Sequence, residues 1–305
     1  MKKKKRIGLV LGSGSARGWS HIGVIHCLQE KGVPIDIVCG CSVGAVVGGA
    51  YAAGILDALE ELAREFSWFD FLKFIDVSLS RRGLIEGNRI TEFFRNKISN
   101  ISIEELPLPY GSVAVDLQTG REISFRKGPL LDAMRASFAL PGLFTPFQKG
   151  SQWLIDGGLV NPVPVSLCRA MGADVVIAVN LNDGILEKNV PRKSTPNANP
   201  TFQEKLFDVL KSDFIPTSFP FLKKTDQQET IQCRTPNVID VIMRSIYIMQ
   251  DRITRQRMLV DPPDVLISPN LSGISLLEFN KAKETIQEGW LSTNRIMPEI
   301  LEKTA

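Results

Sequence analysis

The sequence predicts an α/β fold in which helices cover both faces of a mainly parallel sheet. Three observations carry the prediction. The first fifty residues alternate strand, helix, strand, helix, the turns between them are short, and the strand segments are apolar on both faces. At 305 residues the chain suits one large α/β domain, with ample surface to bury. We expect a single domain over 1–305, with a core at about 7–182, an insertion at about 183–235, and C-terminal helices and a strand over 236–305.

The elements follow in order. Arg6 to Leu11 (RIGLVL) is a short β-rich run ending at Gly12. Ala16 to Lys31 has helical spacing through Ile22, Ile25 and Leu28 and closes at Gly32. Pro34 to Cys39 reads as a second buried strand, and Val43 to Ala53 as a small-residue helix inside the core. The region 57–98 reads as helices rich in aromatics (FSWFDFLKF), either a lid that touches lipid or a packed helix pair. Strands are expected at Gly111–Leu117, Glu122–Phe125, Gln152–Ile155 and Ala173–Leu181, with helices at Leu130–Ser137 and Val163–Met171. From Asp183 to Thr235 the chain is rich in Pro, Ser, Thr and Asn (PRKSTPNANP, FIPTSFP), which suggests a mobile insertion or cap. A helix over Val238–Val260, a strand at Asp264–Ile267 and one or two helices over Ser275–Leu301 complete the reading. No internal repeat occurs.

Composition excludes several function classes. The net charge of +3 turns slightly negative without the five cations of Lys2, Lys3, Lys4, Lys5 and Arg6. No other basic cluster of that kind occurs, so nucleic acid is not an expected partner. The apolar run behind the basic tip is too short for a signal peptide. The tip reads as a solvated N-terminus, with attraction to anionic lipid as the alternative. Five cysteines without a CxxC pair (Cys27, Cys39, Cys41, Cys168, Cys233) point to free thiols in a reducing compartment, hence the cytoplasm.

Ile37 to Leu56 contains no charge, and Gly40, Gly44 and Gly48 repeat as GxxxGxxxG, so a membrane helix has to be weighed. Asp36 and Asp57 abut its ends without aromatic or basic anchors. Once the strand is subtracted, the helix that remains is too short for about 30 Å of hydrocarbon. Buried strand, tight turn and buried helix explain the run better. Gly40-Cys41-Ser42-Val43-Gly44 then fits G-x-S-x-G, a strand-to-helix turn that presents a nucleophilic serine. Gly40 and Gly44 remove side chains that would clash there. Ser42 would lie near a helix N-terminus, where developing negative charge is favoured.

The loop Gly12-Ser13-Gly14-Ser15-Ala16-Arg17-Gly18 follows the first strand. It misses the dinucleotide spacing G-x-G-x-x-G, since Gly18 comes one residue late. Backbone N–H groups at Ser13, Gly14 and Ser15 could instead converge on one oxygen beside Ser42 as an oxyanion hole. Arg17 would steady that loop, attract an anionic head group, or lie on a surface helix. The base is harder to place. The two histidines, His21 and His26, both precede Ser42, and His21 reads as packing. That leaves a carboxylate. Asp36 is at the wrong end of its strand and Asp116 lies inside an apolar run. Asp156 follows WLI and precedes Gly157-Gly158, which leave room beside it. An ordinary Asp-Gly turn explains the same residues equally well. As a base, Asp156 would need partial desolvation.

Taken together, GSGSARG, GCSVG and DGG resemble the patatin-like phospholipase family. The likeness extends to RASFALPGLFTPF (135–147) and DGGLVNPVPV, and covers about 7–182. RQRMLVDPPDVLISP is similar to the bacterial, RssA-type branch of that family. The resemblance implies a three-layer α/β/α fold and a Ser–Asp dyad: Ser42 as nucleophile, Asp156 as base, and Ser13, Gly14 and Ser15 at the oxyanion loop. It also implies phospholipid, lysophospholipid or simpler acyl ester substrates and no metal or other cofactor; peripheral membrane contact is an expectation from the basic tip. The family loop is usually a run of glycines. Ser13 and Ser15 replace two of them, which makes positive φ costlier there. Three functions fit this reading: lipid hydrolysis through an acyl-Ser42 ester, acyl transfer from the same ester, or lipid binding without catalysis.

Overall fold

The computed structural model describes residues 4–65, 88–98, 101–184, 238–275 and 278–305. Strand β1 (Ile7–Leu11) runs through the middle of a sheet of eight strands. On one side of it lie β2 (Ile37–Cys41) and β3 (Tyr110–Asp116), and on the other β7 (Val175–Val179) and β8 (Val265–Ile267), all parallel. The chain therefore leaves β1 in one direction early and returns on its other side late. The carboxyl end of β1 is a topological switch point, where α/β sheets bind ligands.

Three further strands are antiparallel. β4 (Glu122–Phe125) and β6 (Gln152–Asp156) pair with β3, and β5 (Phe147–Lys149) pairs with β6. β2 takes β3 from Tyr110 to Val113, and β6 takes it from Ala114 to Asp116. β4 overlaps both ranges, from Ser112 to Val115. A strand has two edges, so β2 and β6 must share one and meet there end to end. Cys41 lies opposite Val113 and Asp156 opposite Ala114. The register alone brings Ser42 and Asp156 together.

Both faces of the sheet are apolar and covered, which gives the three-layer α/β/α arrangement. Ile7, Leu9 and Leu11 of β1, Val38 of β2 and Ile177 of β7 face one core. Helices α1 (Ser20–Glu30), α2 (Val43–Ala52), α3 (Leu56–Glu65), α5 (Leu130–Ser137) and α8 (Ala282–Arg295) pack on that side. Val10, Ile37, Cys39, Cys41, Val113 and Val176 face a second core, closed by α6 (Val165–Ala170) and by Met258 of α7 (Val238–Val260). The remaining α-helices among the described residues are α4 (Asn88–Ile98) and α9 (Met297–Thr304).

Several boundaries depart from the sequence reading. The first helix is split: Ser15–Trp19 is a 3-10 turn and the α-helix starts only at Ser20. A Cβ at Gly18 would run into the Val43 side chain, so the turn lies hard against the start of α2. β2 starts three residues later than Pro34 and runs on to Cys41. Asp36 is used beforehand, its Oδ2 accepting from the Ile7 amide at 2.8 Å. β5 was not expected; it is a three-residue strand turned back by Gly150 at φ 60°. Residues 37–56 form a strand, a turn and a helix, and among the described residues no helix is long and apolar enough to cross a membrane. The aromatic stretch 66–74 and residues 185–235 of the expected insertion lie outside the described residues.

Candidate active site

Ser42 is the single residue between β2 and α2, and it turns the chain at φ 55°, ψ −124°. Ser15, at φ 52°, is the other non-glycine residue with positive φ among the described residues. Each such conformation costs about 1–2 kcal/mol, so backbone strain is concentrated at the two places the sequence assigned to catalysis. Glycines let the surrounding chain close in. A Cβ at Gly44 would strike the Leu11 carbonyl, and one at Gly40 would strike the Gly44 carbonyl. The start of α2 is thereby seated directly on the end of β1, beside the Gly12–Ser15 loop.

The Ser42 hydroxyl donates to Asp156 Oδ2 at 2.6 Å. Asp156 is fully buried, and its other oxygen, Oδ1, accepts from the Gly158 amide at 2.7 Å. Burial pushes the carboxyl up to about 6, against the pull of the hydrogen bonds from Ser42 and Gly158. Asp156 is the last residue of β6 and caps the 3-10 turn Gly157–Leu159. The Asp-Gly turn and the hydrogen bond to Ser42 therefore coexist, one oxygen serving each. Gly157 is needed for closeness, since a Cβ there would strike the Val113 carbonyl. The rejected carboxylates have other work: Asp116 Oδ1 binds the amides of Gln118 and Thr119 in the β3–β4 turn.

The Gly12–Ser15 loop lies as expected, but its amides divide. The Gly12 amide donates to the Val179 carbonyl at 3.1 Å, and the Ser13 amide to the Pro162 carbonyl at 2.9 Å. Ser13 therefore cannot supply an oxyanion donor. The amides of Gly14 and Ser15 have no protein acceptor among the described residues. Arg17 is not at a surface. Its Nε donates to the Ile274 carbonyl at 2.9 Å and its guanidinium lies 5.1 Å from the Tyr247 ring centroid. Burial lowers its pKa from the usual value. His21 is buried, as a packing residue should be, with its Nε2 2.8 Å from the Gly12 carbonyl. Desolvation lowers its pKa to about 4, so the ring is neutral at pH 7 and Nε2 carries the proton toward that carbonyl.

Sequence reasoning missed Ser137. Its hydroxyl accepts from the Ser42 amide at 2.9 Å and donates to the Val113 carbonyl at 2.7 Å. It plugs the gap where β2 and β6 meet on β3. Two residues on, the Ala139 carbonyl accepts from the Asp156 amide at 3.0 Å. One segment, Ser137–Ala139, thus holds the backbone of both Ser42 and Asp156. The available signal was the run ASFALPG, in which the helix ends and the chain turns at Pro141-Gly142.

Fold and site together give a mainly parallel sheet in a three-layer α/β/α arrangement with a serine on the turn at its carboxyl edge. The chain belongs to the patatin-like phospholipase family, a family of lipid hydrolases, whose model matches residues 9–169. It is 33% identical to an uncharacterised NTE-family protein of Mycobacterium tuberculosis, over 93% of this chain and 89% of that one. It is 32% identical to the neuropathy target esterase of Drosophila melanogaster over 57% of this chain, which is 13% of that protein. The crystal structure of VipD from Legionella pneumophila shares the fold with a TM-score of 0.55, over 99% of this chain and 67% of that one, at 12% identity.

Proposed function

We propose that the protein is a serine lipid acyl hydrolase working through a Ser42–Asp156 dyad. The carrying observation is the 2.6 Å hydrogen bond from Ser42 to a fully buried carboxylate. An ordinary aspartate is too weak a base for a serine hydroxyl. At about 6, Asp156 is nearer the operating pH, where general base catalysis is most efficient. Ser42 Oγ attacks the ester carbonyl while its proton passes to Asp156. The oxyanion is held by the amides of Gly14 and Ser15 and by that of Val43 at the start of α2. Collapse expels the alcohol or lysolipid, which takes the proton from Asp156. Water then attacks the acyl-Ser42 ester with Asp156 again as base, releasing the fatty acid and restoring Ser42. The substrates are phospholipids, lysophospholipids or simpler acyl esters, a class supported by the family and by the esterase name of the fly relative.

Covalent labelling by a fluorophosphonate tests this reading. Wild type should label, Ser42→Ala should not, and Asp156→Asn should label about a hundredfold more slowly or worse. The wild-type rate should fall as the pH drops through about 6, where Asp156 takes up a proton. A folded wild type that stays unlabelled, or labelling that survives Ser42→Ala, overturns the assignment.

A further inference from the structure

Ser13 spends every polar group it has on being held. Its amide donates to Pro162, its carbonyl lies 3.5 Å from Asn182 Nδ2, and its hydroxyl donates to Gln250 Oε1 at 3.2 Å. Gln250 belongs to α7, 237 residues further along the chain, and is buried. The same Oε1 accepts from Asn182 Nδ2 at 3.3 Å. The other atom of the same amide, Nε2, lies against the Asp156–Gly158 turn. A Cβ built on Gly158 would overlap Gln250 Nε2 and stand 3.0 Å from Asp156 Oδ1, so both atoms crowd one point. One turn earlier on the same helix face, Tyr247 lies over the Arg17 guanidinium. Helix α7 therefore grips the oxyanion loop twice, through Tyr247 and Gln250, and abuts the Asp156 turn through Gln250 as well.

We propose that Gln250 is a positioning residue of the reaction. Through Oε1 it fixes Ser13, and so aims the next two amides, Gly14 and Ser15, at the oxyanion; through its Nε2 end it packs the Asp156–Gly158 turn against that loop. Ser15 holds a positive φ that a free loop would relax, so the clamp matters at the very next residues. The proposal rests on the hydrolase reading. Its consequence falls on the transition state, because the oxyanion exists only there, and so on kcat rather than KM.

The test is steady-state hydrolysis of a short-chain p-nitrophenyl ester by the full chain, in Gln250→Ala, Ser13→Ala, the double variant and Gln250→Glu. Gln250→Ala should lower kcat about tenfold or more with KM within about twofold. The double variant should lose no more than the worse single one, since both cut the same link. Gln250→Glu keeps the acceptor for Ser13 and should recover most of kcat at high pH. Its acid limb should move upward, because a second carboxyl stands beside Asp156. Unchanged kcat in folded Gln250→Ala, or multiplicative losses in the double variant, overturns the proposal. Should wild type prove inert toward the ester and the fluorophosphonate, the hydrolase reading fails, and amide hydrogen exchange over 12–18 decides the clamp by itself. Exchange about tenfold faster in Gln250→Ala supports it, and unchanged exchange removes it.

Discussion

Ser42 holds a strained backbone conformation because Ser137 takes its amide and Asp156 its hydroxyl. Ser137→Ala would strand two buried backbone groups at once, the Ser42 N–H and the Val113 carbonyl. Each costs about 1–3 kcal/mol when left unpaired, so urea denaturation should show a loss of about 2 kcal/mol or more. Fluorophosphonate labelling should slow in the same variant as the elbow loosens. An unchanged midpoint would mean that other groups serve those two atoms. The parts of the site that were legible in the sequence are those written contiguously, GCSVG and DGG, because a turn advertises itself locally. Ser137 and Gln250 were not, since their roles exist only across separations of 95 and 237 residues. The Ser13 amide misled for the same reason: its acceptor, Pro162, lies on another loop.

At the scale of elements, close approach explains more than conformational freedom does. α1 and α8 meet backbone to backbone: a Cβ at Gly23 would strike the Ile286 carbonyl, and one at Gly289 the Ser20 carbonyl. Gly289→Ala gains up to about 1 kcal/mol of helix propensity. It also forces rigid main chains apart, and overpacking of that kind costs about 1–3 kcal/mol. The overlap should win, and thermal denaturation should show a lower Tm; a raised Tm would mean the helices slide apart freely. The same contact explains what the sequence left open. Helical spacing predicted α1, yet it carried no sign of the close approach at Gly23, whose partner Ile286 lies 263 residues away in α8. Buried strands were legible as apolar runs, Glu122–Phe125 at both ends and others with ends off by up to three residues, since side-chain pattern does not mark where a ladder stops. β5 escaped because three residues carry no period.

For the molecule as a whole, two buried ionisable groups at the carboxyl edge of the sheet set opposing dependences on pH. Asp156 is raised from its ordinary 3.8 to about 6 in the folded chain. The folded state then binds the proton more tightly, so stability is lost as pH rises from about 4 through 6, by about 3 kcal/mol. His21 is lowered from 6.5 to about 4. Its contribution is full above about 6.5 and lost as pH falls toward 4, again by about 3 kcal/mol. In the wild type these terms offset over one window. Asp156→Asn removes the first and leaves the second. Relative to wild type, the variant should gain little at pH 4 and about 3 kcal/mol at pH 7, with most of the gain appearing between pH 4 and 6. Urea denaturation of both proteins at pH 4, 5, 6 and 7 measures this, and a difference constant across that series would show that Asp156 ionises normally in the folded chain. A gain confined to high pH, in a variant that no longer labels at Ser42, would mean that holding an ionised base in a dry site is a standing cost to the fold, accepted because the same desolvation makes the carboxylate basic enough to act.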